Sequence, residues 1–594
     1  MITVLREETT NAPELTATSH GSPEFHVLAD DEGLFSVVAE GARQHPGRPV
    51  LARRTETGWS DVTSAQFHAD VVALGGQMID WGIEHGDRVA VLGRTSYEWA
   101  VTDYAALGIG AVTVPVYPTA SPEQVRHILA DSGAAYGFAE TQEQVALLTE
   151  AAACQWRAAV RLLAAPSPSA GPAPASFAAR SAAVVADDIA TIVYTSGTTG
   201  MPKGCVLTHR NMFASSANTV RHEPTLFDQE GSATLLCLPL SHIFGRTILL
   251  SCLFAGVRTG LLSAVPDLFG AMPGFRPTFL ALVPYALEKI RKQCRAQWGT
   301  DAERVAVDYA RALASEAGVP APLAAAYAEL DRGVFAAVRD SLGGRCSHVI
   351  CGGASLDATT EAFFDGVGVQ ILGAYGLTEA ATAVTINQPQ ASRPGSVGRP
   401  IPGTTVAIAG DGEVLVSGFN VSPGYWPLPG TPGPEPRWLP TGDLGRLDDD
   451  GYLFITGRRK EILVTSSGKN VSPTPLEDRV RLHSVVSNCM LVAEGRSFVS
   501  ALVTLDTLAV QRWAIGRGVG HGHPPWRELP ELLAEVQAAV DEANRLVSRA
   551  ESIRAFRVLD GDFTVDNGQL TASLKLRRAV IEAAYQDVID GIYR

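Results

Sequence analysis

Over most of the chain, short apolar runs alternate with longer segments of helical period. RVAVLG (Arg88 to Gly93) predicts a buried strand, WAVTDYAALGIGA (Trp99 to Ala111) a helix, and VTVPVYP (Val112 to Pro118) the next strand. Such alternation packs as a mostly parallel sheet covered by helices. DIATIVY (Asp188 to Tyr194) predicts a further strand, which runs straight into a loop rich in Gly, Ser and Thr. Residues from about Tyr285 to Leu342 are Ala-rich and helical in pattern, and Thr405 to Tyr425 alternates short strands with turns.

The texture changes after GYLFITGR. MLVAEGRSFVSALVTLD (Met490 to Asp506) predicts a hairpin, and Leu529, Leu532, Leu533, Val536, Val540 and Val547 mark one face of a long helix. AAPSPSAGPAPA (Ala164 to Ala175) is a linker without periodicity. The expected organisation is α/β: a loose N-terminal extension over 1–25, a large multi-subdomain N-terminal domain with parallel-rich sheets over 26–459, and a small α+β domain over 460–594.

Composition narrows the function. A chain of 594 residues, 46% hydrophobic, has material for several cores. The net charge of -15 argues against non-specific nucleic-acid binding, which needs clustered Lys and Arg. Any anionic ligand must then be met by a local basic patch. The eight Cys are scattered without a CxxC, as in a reduced cytosolic protein. His521 and His523 lack companions for a metal set and read as linker residues. The N-terminus has no basic start and apolar core, and the apolar stretch Ile248 to Val257 stops at Arg258, short of a membrane span. A cytoplasmic location is expected, with peripheral membrane contact left open.

The loop TSGTTGMPKG (Thr195 to Gly204) carries three glycines, four hydroxyl side chains and Lys203 directly after a buried strand. Glycine lets the backbone approach a phosphate, while amides, hydroxyls and the ammonium supply donors and charge. The spacing is not that of a Walker A loop. A flexible turn is the bland alternative; the preceding strand and the lysine favour phosphate.

YTSGTTGMPKGCVLTHRNM resembles the signature of the adenylate-forming superfamily of acyl-CoA synthetases, amino-acid adenylation domains and luciferases. Further motifs follow in that superfamily's order: LPLSHIFGR (238–246), CGGASL (351–356), AYGLTEA (374–380), WLPTGDLG (438–445), GRRKEILVTSSGKNVSPTPLED (457–478) and QLTASLKLRR (569–578). SHIFGR, GRRKEILVTSSGKNVSP and LTASLKLRR look most like bacterial long-chain fatty acyl-CoA synthetases.

The resemblance implies activation of a carboxylic acid, medium- to long-chain and fatty, by ATP and Mg²⁺ to acyl-AMP with pyrophosphate release, then transfer to CoA. It implies that Thr195, Ser196, Gly197, Thr198, Thr199, Gly200 and Lys203 cradle phosphates, and that Gly353 and Ala354 form a small-residue wall beside adenine. Tyr375 would pack on adenine, Thr378 touch phosphate and Glu379 hold Mg²⁺, a hard cation that takes oxygen ligands. Asp443 would accept from the ribose hydroxyls with Arg458 beside it, and Lys575 would reach the reacting carboxylate and α-phosphate. His242 would gate the path between acyl pocket and thiol tunnel, Gly468 and Lys469 would serve CoA, and Lys460 would be the hinge of the mobile domain. Amino-acid-activating relatives carry an Asp after the corresponding Phe; here Gly245 and Arg246 follow Phe244, which fits an acid without an amine. Ser466-Ser467-Gly468 departs from a pair of glycines common in the family. Two alternatives stay open: delivery to a carrier protein instead of CoA, and a non-catalytic ATP or acyl sensor.

Overall fold

The structure is a computed structural model that describes residues 15–594 except 57, 153–154, 165–174, 196–200, 316, 429, 431–436, 520–524, 565–566 and 572–574. Most of the predicted linker, Cys154, His521 and His523 lie outside the described residues.

The strand Arg88–Leu92 is apolar and buried after Arg88 and pairs in parallel with Val112–Val116 and Tyr136–Ala139. The helix between the first two, Tyr97–Gly108, is capped by Ser96, whose hydroxyl accepts from the Trp99 amide. All of its residues but Glu98 are buried, because it lies in a core shared by two sheets. Among the described residues the first sheet runs Gly424–Tyr425, Lys203–Thr208, Ile189–Thr195, Val112–Val116, Arg88–Leu92, Tyr136–Ala139, Arg161–Leu162. The second runs Arg399–Pro400, Thr382–Ile386, Gln370–Leu377, His348–Cys351, Phe279–Leu282, Ala233–Leu236, Arg258–Leu261, Pro49–Thr55, Gly58–Thr63, parallel at its centre and antiparallel at both ends.

A third, antiparallel sheet contains Thr404–Ala409, Glu413–Gly418, Leu439–Leu447 and Leu453–Arg458. Its outer edge corrects one expectation. Residues 15–20 of the supposedly loose extension form a strand, Leu15–His20, paired antiparallel with residues 405–409. The segment LTATSH has no apolar run to announce it; its place comes from a partner edge distant in sequence.

Past Arg458 the chain builds a unit with its own core. The hairpin Val486–Val492 and Val499–Leu505 is extended in parallel by Ile553–Val558 and packed by helices Pro473–Arg481 and Pro530–Asn544. The seven cysteines among the described residues are all buried and free. Among the same residues no helix is long and apolar enough to cross a membrane.

Candidate active site

The phosphate-loop motif is a hairpin connection. Thr195 ends one strand and stands opposite Lys203, which begins the antiparallel partner Lys203–Thr208. Ser196, Gly197, Thr198, Thr199 and Gly200 lie outside the described residues. Lys203 is exposed, while the strand after it is buried. A Cβ on Gly204 would come within 2.6 Å of Ile192 and 3.0 Å of Tyr194, so only glycine lets the two strands close here.

Tyr375 and Glu379 sit at the end of strand Gln370–Leu377 and in the short turn Thr378–Ala380 that follows. The turn reverses tightly through Ala381 (φ 47°) and Thr382 (φ 89°). Gly376 passes so close to the Thr382 carbonyl that no Cβ fits. Gly353 (φ 89°) and Ala354 are exposed just past the parallel neighbour His348–Cys351.

Asp443 and Arg458 are partners in the third sheet. The Tyr375 phenol donates to Asp443 Oδ2 at 2.7 Å, and Arg458 Nε donates to Asp443 Oδ1 at 2.7 Å. Burial, then the Asp443 charge, pushes the Tyr375 phenol well above its ordinary range, so it remains a donor. Each Asp443 oxygen keeps a second lone pair for a further donor.

The C-terminal unit adds Lys575 to this group. The Thr571 amide donates to the Lys575 carbonyl at 2.8 Å and the Lys575 amide to the Thr571 hydroxyl at 3.0 Å. The ammonium lies within electrostatic reach of Arg458, Glu461, Asp443 and Glu379. Crowding by protein, then the Arg458 charge, lowers its pKa against the pull of the three carboxylates. Lys575 itself is exposed.

His242 lies within electrostatic reach of the same ammonium. It caps helix Ile243–Ala255, with Nδ1 accepting from the Phe244 amide at 3.1 Å. Burial, reinforced by Lys575, lowers its pKa to about 4, so at neutral pH the ring is uncharged with its proton on Nε2.

This orientation is held by a polar seam between the two units. Arg479 donates to the Thr359 hydroxyl at 2.9 Å and Asp357 at 3.3 Å, Arg481 reaches Glu288 at 3.2 Å, and the Lys292 ammonium donates to the Val486 carbonyl at 2.8 Å. The Ser355 hydroxyl donates to Asp478.

Among the described residues the structure thus brings Tyr375, Glu379, Asp443, Arg458, Lys575 and His242 together. It does not bring in Gly468 and Lys469. They occupy an exposed turn of the C-terminal unit, where Gly468 takes φ 80° and Lys469 pairs with Glu551 at 3.3 Å. Lys460 is exposed in the short turn Arg459–Glu461.

Three features escaped sequence reasoning. Glu461 lies within electrostatic reach of Lys575, and its only signal was its place one residue after Lys460. Tyr425 donates its phenolic hydrogen to Glu379 Oε1. Arg246, read from sequence as part of the pocket segment, is buried and consumed by Asp103 (2.6 and 3.1 Å), Thr191 (2.7 Å) and Thr113 (3.0 Å). A cleft of about 820 Å³ opens elsewhere, lined by His20, His26, His222, Phe254 and Arg399 among others, and none of the motif residues borders it.

Residues 38–426 match the AMP-binding enzyme family, and residues 460–594 match the AMP-binding enzyme C-terminal domain. The chain is 38% identical over 597 residues to the long-chain-fatty-acid–CoA ligase FadD15 of Mycobacterium bovis, covering 96% of this chain and 98% of the relative. The long-chain-fatty-acid–CoA ligase ACSBG1 of Macaca fascicularis is 28% identical, with coverage of 98% and 86%. Among solved structures, the anthranilate CoA ligase AuaEII in complex with anthranoyl-AMP superposes with a TM-score of 0.70 at 18% identity, covering 95% of this chain and 99% of that one. A Mycobacterium tuberculosis fatty acyl CoA synthetase gives 0.57 at 20% identity, covering 94% and 99%.

Proposed function

Because this chain belongs to the AMP-binding enzyme family, matched over 38–426 and 460–594, we propose that the group around Lys575 is the centre of a cytoplasmic long-chain fatty acid–CoA ligase. The enzyme activates its acid with ATP to acyl-AMP and pyrophosphate, then transfers the acyl group to CoA, releasing AMP. The observation that carries the residue assignment is Lys575, supplied by the C-terminal unit, within electrostatic reach of Glu379, Asp443 and Arg458 of the larger one.

In this reading Asp443 accepts the ribose hydroxyls through its remaining lone pairs, with Tyr375 and Arg458 fixing its plane and Tyr375 beside adenine. Lys203 and the hairpin tip meet the phosphates, joined by Thr378. Gly353 and Ala354 give adenine a wall without side-chain bulk. Lys575 stabilises the negative charge that builds on the α-phosphate as the acid's carboxylate attacks. Desolvation and the Arg458 charge lower its pKa, so an added anion is a favourable partner. Neutral His242 lines the route between acid and thiol without adding a charge.

Glu379 fits a divalent cation: a hard oxygen donor, half-buried, whose Oε2 has no partner among the described residues. Bound Mg²⁺ would neutralise phosphate charge there.

Once the adenylate forms, Lys575 has to withdraw so that a thiol can enter. Lys460 is the pivot, and rotation carries Gly468 and Lys469 toward the CoA path. Pyrophosphate release and thioester formation, measured with acids from C2 to C20 and aryl acids and with CoA or acyl carrier protein as acceptor, test the reading. Long-chain acids with CoA should give the highest kcat/KM. Thioester formed only on the carrier would overturn the choice of acceptor, and absence of any acid-dependent pyrophosphate exchange would overturn the activity.

A further inference from the structure

Glu379 is tied to the phosphate hairpin by a strap, residues 419–426. Asn211 Nδ2 donates to the carbonyls of Phe419 (2.8 Å) and Val421 (2.9 Å), and Asn420 Nδ2 to that of Ala383 (2.9 Å). The Ser422 amide donates to the Glu379 carbonyl at 2.8 Å, and its hydroxyl to the Val206 carbonyl at 2.7 Å. The Trp426 amide donates to the Gly204 carbonyl at 2.7 Å. Gly424–Tyr425 thereby adds a short strand to the edge of Lys203–Thr208, with Tyr425 opposite Cys205. From there the Tyr425 hydroxyl reaches Glu379 Oε1.

We propose that Tyr425 is a positioning residue for the Glu379 carboxylate, holding one oxygen so that the other meets the cation of the nucleotide. The proposal rests on the reading of Glu379 as metal ligand. A glutamate side chain has three rotors, and fixing them when a cation binds costs conformational entropy. A donor anchored to the phosphate hairpin removes most of that freedom beforehand and sets the carboxylate in one frame with the phosphate groups. The ring itself is 45% exposed and contributes little to the core, so the hydroxyl is the part with work to do.

Tyr425→Phe keeps the ring and removes the donor. ATP binding to the full-length protein, followed by calorimetry across a Mg²⁺ titration, should need roughly three- to tenfold more Mg²⁺ for half-maximal effect, the range for the net worth of one ordinary hydrogen bond. The Mg²⁺ half-saturation of acid-dependent pyrophosphate exchange should move in parallel, with lost rate recovered as Mg²⁺ is raised. The double variant with Glu379→Gln should match Glu379→Gln alone. If Glu379→Gln shifts the Mg²⁺ requirement and Tyr425→Phe does not, the role of Tyr425 is refuted and the metal reading stands. If neither shifts it, both fall. A Tyr425→Phe protein with a lowered Tm and an unmoved Mg²⁺ requirement would also refute positioning.

Discussion

The Ser355 hydroxyl donates to the Asp478 carboxylate across the seam between the two units. Asp478 also accepts from Arg481 at 3.0 Å, while Glu288 and Glu477 crowd it with like charge. Burial and those two carboxylates outweigh Arg481 and Ser355 and raise its pKa to about 7. The seam joins the unit that carries Lys575 to the unit that carries Asp443 and Glu379, so whatever loosens it also frees Lys575 to move away from them.

That carboxyl makes docking pH-dependent. Swung away into water, Asp478 returns to the ordinary range, about 3.9. The docked orientation therefore binds an extra proton between the two values. Its advantage is full below about pH 4 and is lost as pH rises through about 7. Fluorescence transfer between dyes on the two units should show the docked fraction falling from pH 6 to pH 8. Asp478→Asn should flatten that profile; an unchanged slope in this variant would assign the effect to another group.

Lys575→Ala should slow adenylate formation by on the order of a hundredfold or more, the scale for one charge-stabilising donor. Thioester formation from supplied acyl-adenylate should survive much better, since that step needs the lysine gone. Equal losses in both half-reactions would contradict the assignment.

Lys460→Pro should separate the same steps in the opposite sense. Proline fixes φ near −65° and restricts the residue before it, here Arg459, whose side chain is already tied to Asp411 at 2.7 Å and Glu413 at 3.2 Å. A hinge must take two backbone states. Adenylation should stay near the wild-type rate and thioester formation should fall at least tenfold. Normal thiolysis of supplied adenylate in this variant would move the pivot elsewhere.

Arg246→Ala should act on stability. The pair with Asp103 is almost fully buried, and removing one member strands the other. The expected cost is about 3–5 kcal/mol. It should appear as a lower denaturation midpoint, and a second change, Asp103→Asn, should recover part of it. A midpoint within experimental error of wild type would mean that water reaches Asp103.

Much of the fold is legible where the signal is local. The predicted strand Arg88 to Gly93 is the observed Arg88–Leu92, and the helix drawn over Trp99 to Ala111 is Tyr97–Gly108. It starts two residues early because Ser96 captures the Trp99 amide, and Gly110 (φ 74°) lies just past its end. The hairpin drawn over Met490 to Asp506 begins earlier, at Val486, since its first strand includes polar Ser487 and Asn488. Motif order singled out Tyr375, Asp443, Arg458 and Lys575 as candidates, and the fold gathers them from distant stretches of the chain. The partners that hold them were not legible. Tyr425 lies 46 residues from Glu379, and Asp478 lies 123 residues from Ser355. No periodicity encodes such pairings, and they exist only once the sheets have set the distances.

The N-terminal edge strand has a consequence for how the chain is made. The Thr16 hydroxyl donates to the Ile408 carbonyl 392 residues later. At a synthesis rate of about 5–20 residues per second, the first strand waits roughly 20–80 s for its partner to leave the ribosome. During that interval LTATSH is an unpaired edge, kept from other chains by its lack of a continuous apolar run. Nascent chains stalled before residue 405 should thus expose this segment to added protease, and chains released past residue 409 should protect it.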